Sequence, residues 1–512
     1  MNYCPHLEST PRKACIFRVT IAPHFDDANC ADHLSVHLVL ENQHCAAHTA
    51  LFQFETCYEN VPAHPYTERD IAASDAAGTL NLYFTKVINP NRADQEWRPE
   101  RETIGDVHLR FTAMPRKVDV TTPIGPRVDL RRDQGGLMGS VVGAGGNAGV
   151  VVVGEGPSPV RKDGGPGMLA NSVFMVGPVK SYPPGPRPVN NDETLAGSAA
   201  GAAGADVSPT SANIYWFGQL PENLSQLNAY NTALFPKLAA FFQTVDASYR
   251  YDENSWKESD DELVSLFSHE MVHSFTMMGV EADGYNNGWY IEGIAELYSV
   301  YLPYRFGLCG ADYLRNRLNS SLCSYGTSPR IEMDVLESQE RFYDDCRLRK
   351  ITGRFELKAN SPLDDIVVEM GRRWRKGEQL LAKDWLKYLR PYFGNVMQEF
   401  QDMLRGKFLD LSHTIVVHEN WSLAPTMQEI LDFGFDKSSI DKRIISGVVP
   451  NSRAVQAGLE DGLRLLSISR AGICSKSLSA KMSLLVEKRG VKMHISYWPR
   501  SFSKAKVWQL GS

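Results

Sequence analysis

Two histidines and a glutamate near the middle of the chain have the residue types and the spacing of a metal centre. Residues 268–273 read SHEMVH, which contains the pattern His-Glu-x-x-His. Residues four apart on a helix project from one face, so the imidazoles of His269 and His273 could bind the same Zn²⁺ ion. Glu270 stands beside the first histidine, where its carboxylate could accept a proton from a water molecule at the metal. The pattern also arises by chance in unrelated helices, so its surroundings have to support it.

The element that must position these residues is a helix. Residues 259–262 read SDDE, a capping box with acidic residues in the first turn. Gly279 ends the periodic run. The sequence therefore predicts a helix from about Ser259 to Gly279 with the motif in its middle. Its apolar stripe consists of Leu263, Leu266, Phe267, Val272 and Phe275.

A third metal ligand follows on a second predicted helix. Residues 289–296 read WYIEGIAE, and eighteen residues separate His273 from Glu292. The turn-rich stretch 283–288 lets the chain double back, so Glu292 could complete a His₂Glu site with the fourth position left for water. The alternative is a solvated helix with ordinary surface carboxylates. Glu296, one turn later, could lie near the metal ligands, near a substrate amine, or on a solvated face.

This arrangement resembles that of the gluzincin metallopeptidases, which include the zinc aminopeptidases. Three further stretches resemble the glycyl aminopeptidase family: residues 129–137 (DLRRDQGGL), residues 292–308 and residues 342–365. The resemblance covers most of the chain from about residue 14 to 500. It implies that His269, His273 and Glu292 bind zinc and that Glu270 is the general base. It also implies a β-rich N-terminal domain, a helical zinc domain and a C-terminal PDZ domain.

A tyrosine is a further candidate catalytic residue. In related zinc aminopeptidases, a tyrosine in a Tyr-x-Lys-Gly stretch stabilises the oxyanion, and the resemblance implies that Tyr343 has this role. The chain reads YDDC at residues 343–346, so the lysine and the glycine are replaced. A buried structural tyrosine is the alternative interpretation of Tyr343.

Composition and charge exclude several other classes of protein. The 512 residues carry a formal net charge of −6, and no basic stripe or nucleic-acid signature is present. We find no run of 18 apolar residues, which predicts no membrane span, and no signal-peptide pattern at the N-terminus. The nine cysteines are scattered without C-x-x-C pairs, which fits free thiols in a reducing compartment. We therefore expect a cytoplasmic protein that does not bind nucleic acid.

The hydrophobic pattern predicts an α+β multidomain protein. Residues 1–175 are predicted to form a β-sandwich-like domain that ends in a glycine-rich junction, because apolar and polar residues alternate between turns. That junction lacks the lysine of a phosphate-binding loop, which argues against a nucleotide site. Residues 176–430 are predicted to form a mainly helical, thermolysin-like gluzincin catalytic domain. The Pro-, Gly- and Ala-rich composition over about 183–212 predicts a mobile surface loop within it.

Residues 431–512 are predicted to form a PDZ-like β domain. Residues 452–462 read SRAVQAGLEDG, a run that resembles a PDZ domain and is predicted to form a short capped helix. Domains of this kind bind an extended peptide by strand addition, so such a peptide is a candidate partner. Two features depart from the family: Leu463 follows Gly462 where Asp is usual, and the carboxylate-binding loop is not plain. Phe433-Gly434-Phe435 is the candidate for that loop, and a docking or structural role of the domain is the alternative.

The main hypothesis is a Zn²⁺-dependent peptidase that acts on peptide substrates. The metal motif does not distinguish an aminopeptidase from an endopeptidase, and the family resemblance favours the aminopeptidase. A rival hypothesis from another class is a non-catalytic, zinc-stabilised scaffold that presents the PDZ-like domain to partner peptides. The presence of Glu270 argues against the scaffold, because a purely structural site needs no base.

Overall fold

The structure is a computed structural model of the chain. It describes residues 17–58, 61–89, 92–115, 131–133, 136–140, 151–154, 160–164, 173–184, 212–243, 260–276, 278, 288–329, 331, 361–376, 378–407, 421–469, 474 and 477–511. Its contacts divide the chain into two compact units, Met1–Phe275 and Thr276–Ser512. Both β-sheets and α-helices are present, so the predicted mixture of the two is confirmed. Within the described residues, no helix has both the length and the apolar character needed to cross a membrane.

The first unit is rich in β-structure, as the alternating pattern predicts. Apolar and polar residues alternate at 16–21, 34–40, 51–55, 80–84 and 107–111, which predicts a strand in each, and each of these segments overlaps a strand. The strands of this unit are β1 (Phe17–Phe25), β2 (Ala31–Leu40), β3 (Phe52–Tyr58), β4 (Val61–Pro62), β5 (Ile71–Asp75), β6 (Gly78–Thr79), β7 (Leu82–Asn89), β8 (Arg92–Pro99), β9 (Val107–Ala113), β10 (Arg131–Asp133), β11 (Gly136–Ser140), β12 (Val151–Gly154), β13 (Val160–Gly164), β14 (Val173–Val176), β15 (Val179–Tyr182) and β16 (Ile214–Phe217).

Two of its sheets share one core. A six-stranded sheet has the order β13-β1-β2-β9-β5-β6, and a four-stranded sheet has the order β4-β3-β8-β7. Trp97 of the smaller sheet is fully buried and stacks on Phe52, with ring centroids 5.8 Å apart. It belongs to the same apolar cluster as Leu38 and Leu109 of the larger sheet. The two sheets therefore pack face to face, while the predicted domain boundary at residue 175 stays a prediction.

An ion pair closes one end of the larger sheet. Arg101 donates from Nη1 and Nη2 to the two carboxylate oxygens of Asp75, each over 2.7 Å. The amides of Ile104 and Ala77 also donate to this buried carboxylate. The hydrogen bonds from Arg101 are the largest cause, and together with the amides they lower the pKa of Asp75 to about 2.

We expect Asp75 to make unfolding pH-dependent. Its pKa is lower in the folded chain than the value of 3.8 for a free side chain, so its contribution to the free energy of unfolding is complete above about pH 4. The contribution is lost as the pH falls from about 4 towards 2. The free energy of unfolding of the natural chain and of Asp75→Asn should be measured with denaturant between pH 6 and pH 3. The difference between the two values should become smaller as the pH falls. A difference of constant size would contradict this prediction.

The remaining strands of the first unit form two small sheets, followed by two helices. Strands β10, β11, β14 and β12 form one sheet in that order, and β15 pairs with β16 in the other. The strands predicted on both sides of the proline- and alanine-rich segment correspond to β14 and β16, whereas residues 185–211 of that segment lie outside the described residues. The two helices are α1 (Glu222–Phe241) and α2 (Asp260–His273).

The second unit begins with helices. Helical spacing of apolar residues predicts helices between residues 334 and 410, and three helices lie in the described part of this stretch, while residues 334–360 lie outside the described residues. The helix predicted around Glu292 is also present. The helix over residues 311–326 was not predicted. The helices are α3 (Gly288–Arg305), α4 (Ala311–Gly326), α5 (Pro362–Arg375), α6 (Ala382–Leu389) and α7 (Val396–Leu404).

The end of the chain is again β-structure. Strand β17 (Ser422–Leu431) pairs with the last strand, β21 (Arg500–Gly511), and a three-stranded sheet lies between them in sequence. The pattern of residues 444–450 predicts a strand that runs into a turn, and the strand part is wrong. Ile444 forms an isolated bridge, and Gly447 has a φ of +65° that breaks the extended backbone. The other elements are α8 (Ser438–Lys442), α9 (Arg453–Gln456), β18 (Arg464–Ser469), β19 (Met482–Lys488) and β20 (Val491–Tyr497).

Candidate metal centre

Helix α2 carries the two histidines and Glu270. Its buried face has an apolar residue at every fourth position, Leu263, Phe267 and Met271, each almost without exposed surface. On another face, Ser268 forms a 2.8 Å hydrogen bond with Tyr230 of α1. These contacts hold the helix, and they leave His269, Glu270 and His273 half-buried.

The motif lies at the end of this helix and not in its middle. The prediction that the helix continues to Gly279 is wrong, because α2 ends at His273. The next amides, of Ser274 and Phe275, bond back only three residues, in a turn. Phe275 then stacks on Phe242 with ring centroids 4.9 Å apart, a contact with the end of α1 that the local pattern does not contain. The carboxyl end of a helix carries partial negative charge, which favours a cation near His273.

The two imidazoles approach each other through their Nε2 atoms. Nε2 of His269 and Nε2 of His273 lie 2.9 Å apart, and the ring planes are inclined by 87°. The same nitrogen of each ring therefore points into one small region of space. This is the arrangement that two histidines four apart on a helix can offer to a single metal ion.

Glu292 brings a carboxylate to the same place. One ligand atom from each of His269, His273 and Glu292 lies within 4.8 Å of the other two, and all three residues are half-buried. Among the described residues, this is the only cluster of three or more such side chains that could hold a metal ion. The helix of Glu292 is fixed near its start by Tyr290, which is buried and packs edge-on against Trp385 of α6.

The donor set fits Zn²⁺. Two imidazole nitrogens and one carboxylate oxygen are the ligands of a catalytic zinc site that keeps its fourth position open. Half-burial suits such a site, because a fully closed shell would exclude substrate. Zinc binding by these residues is nevertheless a proposal, developed below.

The other sequence-predicted residues have different outcomes. Tyr343 lies outside the described residues, as do Ser259 of the predicted capping box and residues 283–287 of the predicted turn. Glu296 is buried, with 8% of its surface exposed, and its carboxylate accepts a 3.4 Å hydrogen bond from Ser321 of α4. The interpretation of Glu296 as part of a solvated face is therefore wrong.

A buried polar network on α3 was given no role from the sequence. Tyr298 donates a 2.9 Å hydrogen bond to Oδ1 of Asp364, and Arg305 donates a 2.6 Å bond to Oδ2 of the same carboxylate. The seven-residue spacing of Tyr298 and Arg305 places them on one face of a helix, and both lie in the stretch 292–308 that carries the family resemblance. Nothing local indicates that Asp364 is their partner.

The glycine of the candidate peptide-carboxylate loop near the C-terminus forms its hydrogen bonds within the chain. The amide of Gly434 donates a 2.7 Å hydrogen bond to Asp432, and its carbonyl accepts one from Val449. A Cβ at Gly434 would come within 2.7 Å of Ala454, so this glycine packs tightly against α9. The Gly434 amide is thus engaged internally, and helix α8 follows the loop where strand addition would need an extended edge.

Comparison with solved structures gives the fold. An aminopeptidase N family protein from Idiomarina loihiensis matches with a TM-score of 0.53 and 12% identity, over 96% of each chain. An M1 zinc metallopeptidase variant from Deinococcus radiodurans, bound to the substrate Tyr-Ser-Ala, matches at 12% identity over 76% of this chain and 92% of its own, with a TM-score of 0.39. The unmutated Deinococcus enzyme matches at 11% identity over the same shares of the two chains, with a TM-score of 0.37.

At these identities the likeness shows the fold alone, and of these three structures the Idiomarina protein is the one similar enough to carry that argument. No protein-family model matches the chain, and no curated relative matches it. The chain thus shares the fold of an aminopeptidase N family protein. The narrower resemblance to the glycyl aminopeptidase family, with its PDZ domain, stays a prediction.

Proposed function

We propose that this chain is a zinc-dependent peptidase, and that it removes N-terminal residues from peptides. The observation that carries the proposal is the meeting of ligand atoms from His269, His273 and Glu292 within 4.8 Å, with Glu270 next to the first of them. The fold supports it, because the structural neighbour from Idiomarina is described as an aminopeptidase N family protein.

In this proposal His269, His273 and Glu292 hold the metal. A bound zinc ion supplies Lewis acidity, which lowers the pKa of a water molecule and polarises a carbonyl group. Glu270 accepts the proton of the attacking water and passes it to the nitrogen of the leaving amine, so the carboxylate returns to its starting state.

Tyr343 is proposed to donate a hydrogen bond to the oxygen of the carbonyl that is attacked. Loss of one such donor typically slows catalysis by about 10²–10³. This role rests on the resemblance of the sequence alone. Tyr343→Phe measures it directly, since that variant keeps the ring and removes only the hydroxyl.

Removal of the metal is expected to abolish activity reversibly. Metal analysis of the purified chain should find about one Zn²⁺ per molecule, as a three-ligand site predicts. A panel of aminoacyl amides should be hydrolysed before chelation, not after it, and again once one equivalent of Zn²⁺ is restored. Hydrolysis that survives complete chelation would contradict the proposal, and zinc without hydrolysis of any substrate would support the scaffold hypothesis.

Blocked substrates separate the aminopeptidase from the endopeptidase. An aminopeptidase has to recognise the free amine of its substrate, so N-acetylation should abolish cleavage of a peptide whose free form is hydrolysed. Matched pairs of short peptides, free and acetylated, can be compared by their kcat/KM values. Equal rates for the two forms would overturn the aminopeptidase assignment and leave a zinc endopeptidase.

A further inference from the structure

Asp364 joins two points of the helix that carries Glu292. It stands at the third position of α5, after the N-cap Ser361, and only 7% of its surface is exposed. Its two oxygens accept from different residues of α3: Oδ1 from Tyr298 at 2.9 Å and Oδ2 from Arg305 at 2.6 Å. One carboxylate therefore spans two turns of α3.

The hydrogen bonds among Tyr298, Arg305 and Asp364 hold these three side chains in one arrangement. Tyr298 is fully buried, and burial together with the Asp364 carboxylate raises the pKa of its hydroxyl well above the ordinary value, so it stays a donor. Arg305 forms an ion pair with Asp364 in which both side chains are largely shielded from water. A buried carboxylate that has lost a partner is costly, so the three groups hold one arrangement.

This arrangement fixes the rotation of α3. Tyr298 and Arg305 lie on one face of the helix, and Glu292 lies roughly 120° around the axis at 100° per residue. If α3 turned about its axis, Glu292 would leave its position and the bonds to Asp364 would break. A metal ligand has to be held to within about 0.5 Å of its productive position.

We propose that Asp364 is a positioning residue for the metal ligand Glu292. It acts through Tyr298 and Arg305, which lock the axial rotation of α3, and it does not touch the metal. The inference rests on the proposed zinc site and adds a residue that neither the motif nor its spacing contains.

The test measures Zn²⁺ affinity directly, by competition with a fluorescent chelator at a temperature well below unfolding. Asp364→Asn keeps the shape of the side chain and removes the charge that holds Arg305. We expect it to weaken Zn²⁺ binding about tenfold, at the lower end of the range seen when groups behind metal ligands are replaced.

Asp75→Asn is the matched control. It breaks an equally well-formed aspartate–arginine pair at the end of β5, and none of the three proposed ligands lies on a strand. We expect a loss of stability in this variant and less than a twofold change in Zn²⁺ affinity. Equal affinities in Asp364→Asn and the natural chain, with only the stability of Asp364→Asn lowered, would overturn the proposal.

Two further variants keep the test decisive. If Asp364→Asn does not fold, Tyr298→Phe removes one of the two bonds and keeps the buried ring, and should weaken Zn²⁺ binding roughly threefold. An unchanged affinity in that variant would count against the proposal. Asp364→Glu retains the charge and should recover part of the affinity. If the natural chain itself binds no Zn²⁺, the proposed function fails, an outcome distinct from failure of the positioning role.

Discussion

Glu270→Gln will retain zinc and lose turnover. The glutamine has the same shape but accepts no proton at neutral pH, so the attacking water is no longer activated. General acid–base catalysis typically contributes 10²–10⁴-fold, and we expect kcat to fall at least about 10³-fold. Zinc content should stay at the level of the natural chain, because the proposed ligands are His269, His273 and Glu292.

The measurement pairs metal analysis with steady-state kinetics on the best aminoacyl amide. Glu262→Gln is the matched control, since it makes the same chemical change on the same helix, two turns before the motif. We expect it to leave kcat within about twofold, because Glu262 lies two turns of helix away from the proposed ligands. Full activity in Glu270→Gln would show that Glu270 is not the general base. Loss of zinc from that variant would indicate that Glu270 binds the metal.

Much of this centre could be predicted because it depends on local spacing. His269 and His273 are four apart, and any helix places such a pair on one face. The strands of the first unit could be predicted for the same reason, since alternation of apolar residues is a property of the strand itself. The sequence does not predict the distance between these histidines and Glu292, because eighteen residues of chain separate His273 from Glu292 and can follow many paths.

The parts that could not be predicted depend on partners far along the chain. Helix α2 ends at His273, and Phe275 two residues later packs on Phe242, which directly follows α1 in the chain. The unpredicted helix α4 packs against β21, where the amide of Asn319 exchanges two hydrogen bonds with the backbone of Leu510. A Cβ at Gly326 would come within 2.8 Å of Val507, so this contact also requires a glycine. No window of sequence around α4 contains these facts.

Two of the unpredicted features bear on the proposed metal ligands. The early end of α2 places His273 at the carboxyl terminus of a helix, where a positive ion is favoured. The pairing of Asp364 with Tyr298 and Arg305 fixes the helix of Glu292. The motif identifies the proposed ligands, and these longer-range contacts hold the helices on which the proposed ligands lie.

The second large effect concerns Glu292 itself, whose replacement by glutamine should release the metal. An amide oxygen is a weaker ligand than a carboxylate and brings no charge to balance Zn²⁺. Replacing a group that hydrogen-bonds to a metal ligand typically weakens metal binding 10–100-fold. We therefore expect loss of a direct ligand to weaken Zn²⁺ binding by more than about 100-fold. Activity should fall in parallel and return in part at high zinc concentration, which distinguishes this variant from Glu270→Gln.

Glu296→Gln is the informative comparison for this prediction. It removes the same charge from the same helix one turn later, at a buried carboxylate that bonds to Ser321 and lies outside the proposed ligand cluster. Chelator competition on the two variants should therefore give very different Zn²⁺ affinities, with Glu296→Gln close to the natural chain. Equal and modest losses of Zn²⁺ affinity in both variants would mean that the carboxylates of α3 act only through their negative charge and that Glu292 is not a ligand. The His₂Glu centre, and the peptidase built on it, would then have to be abandoned.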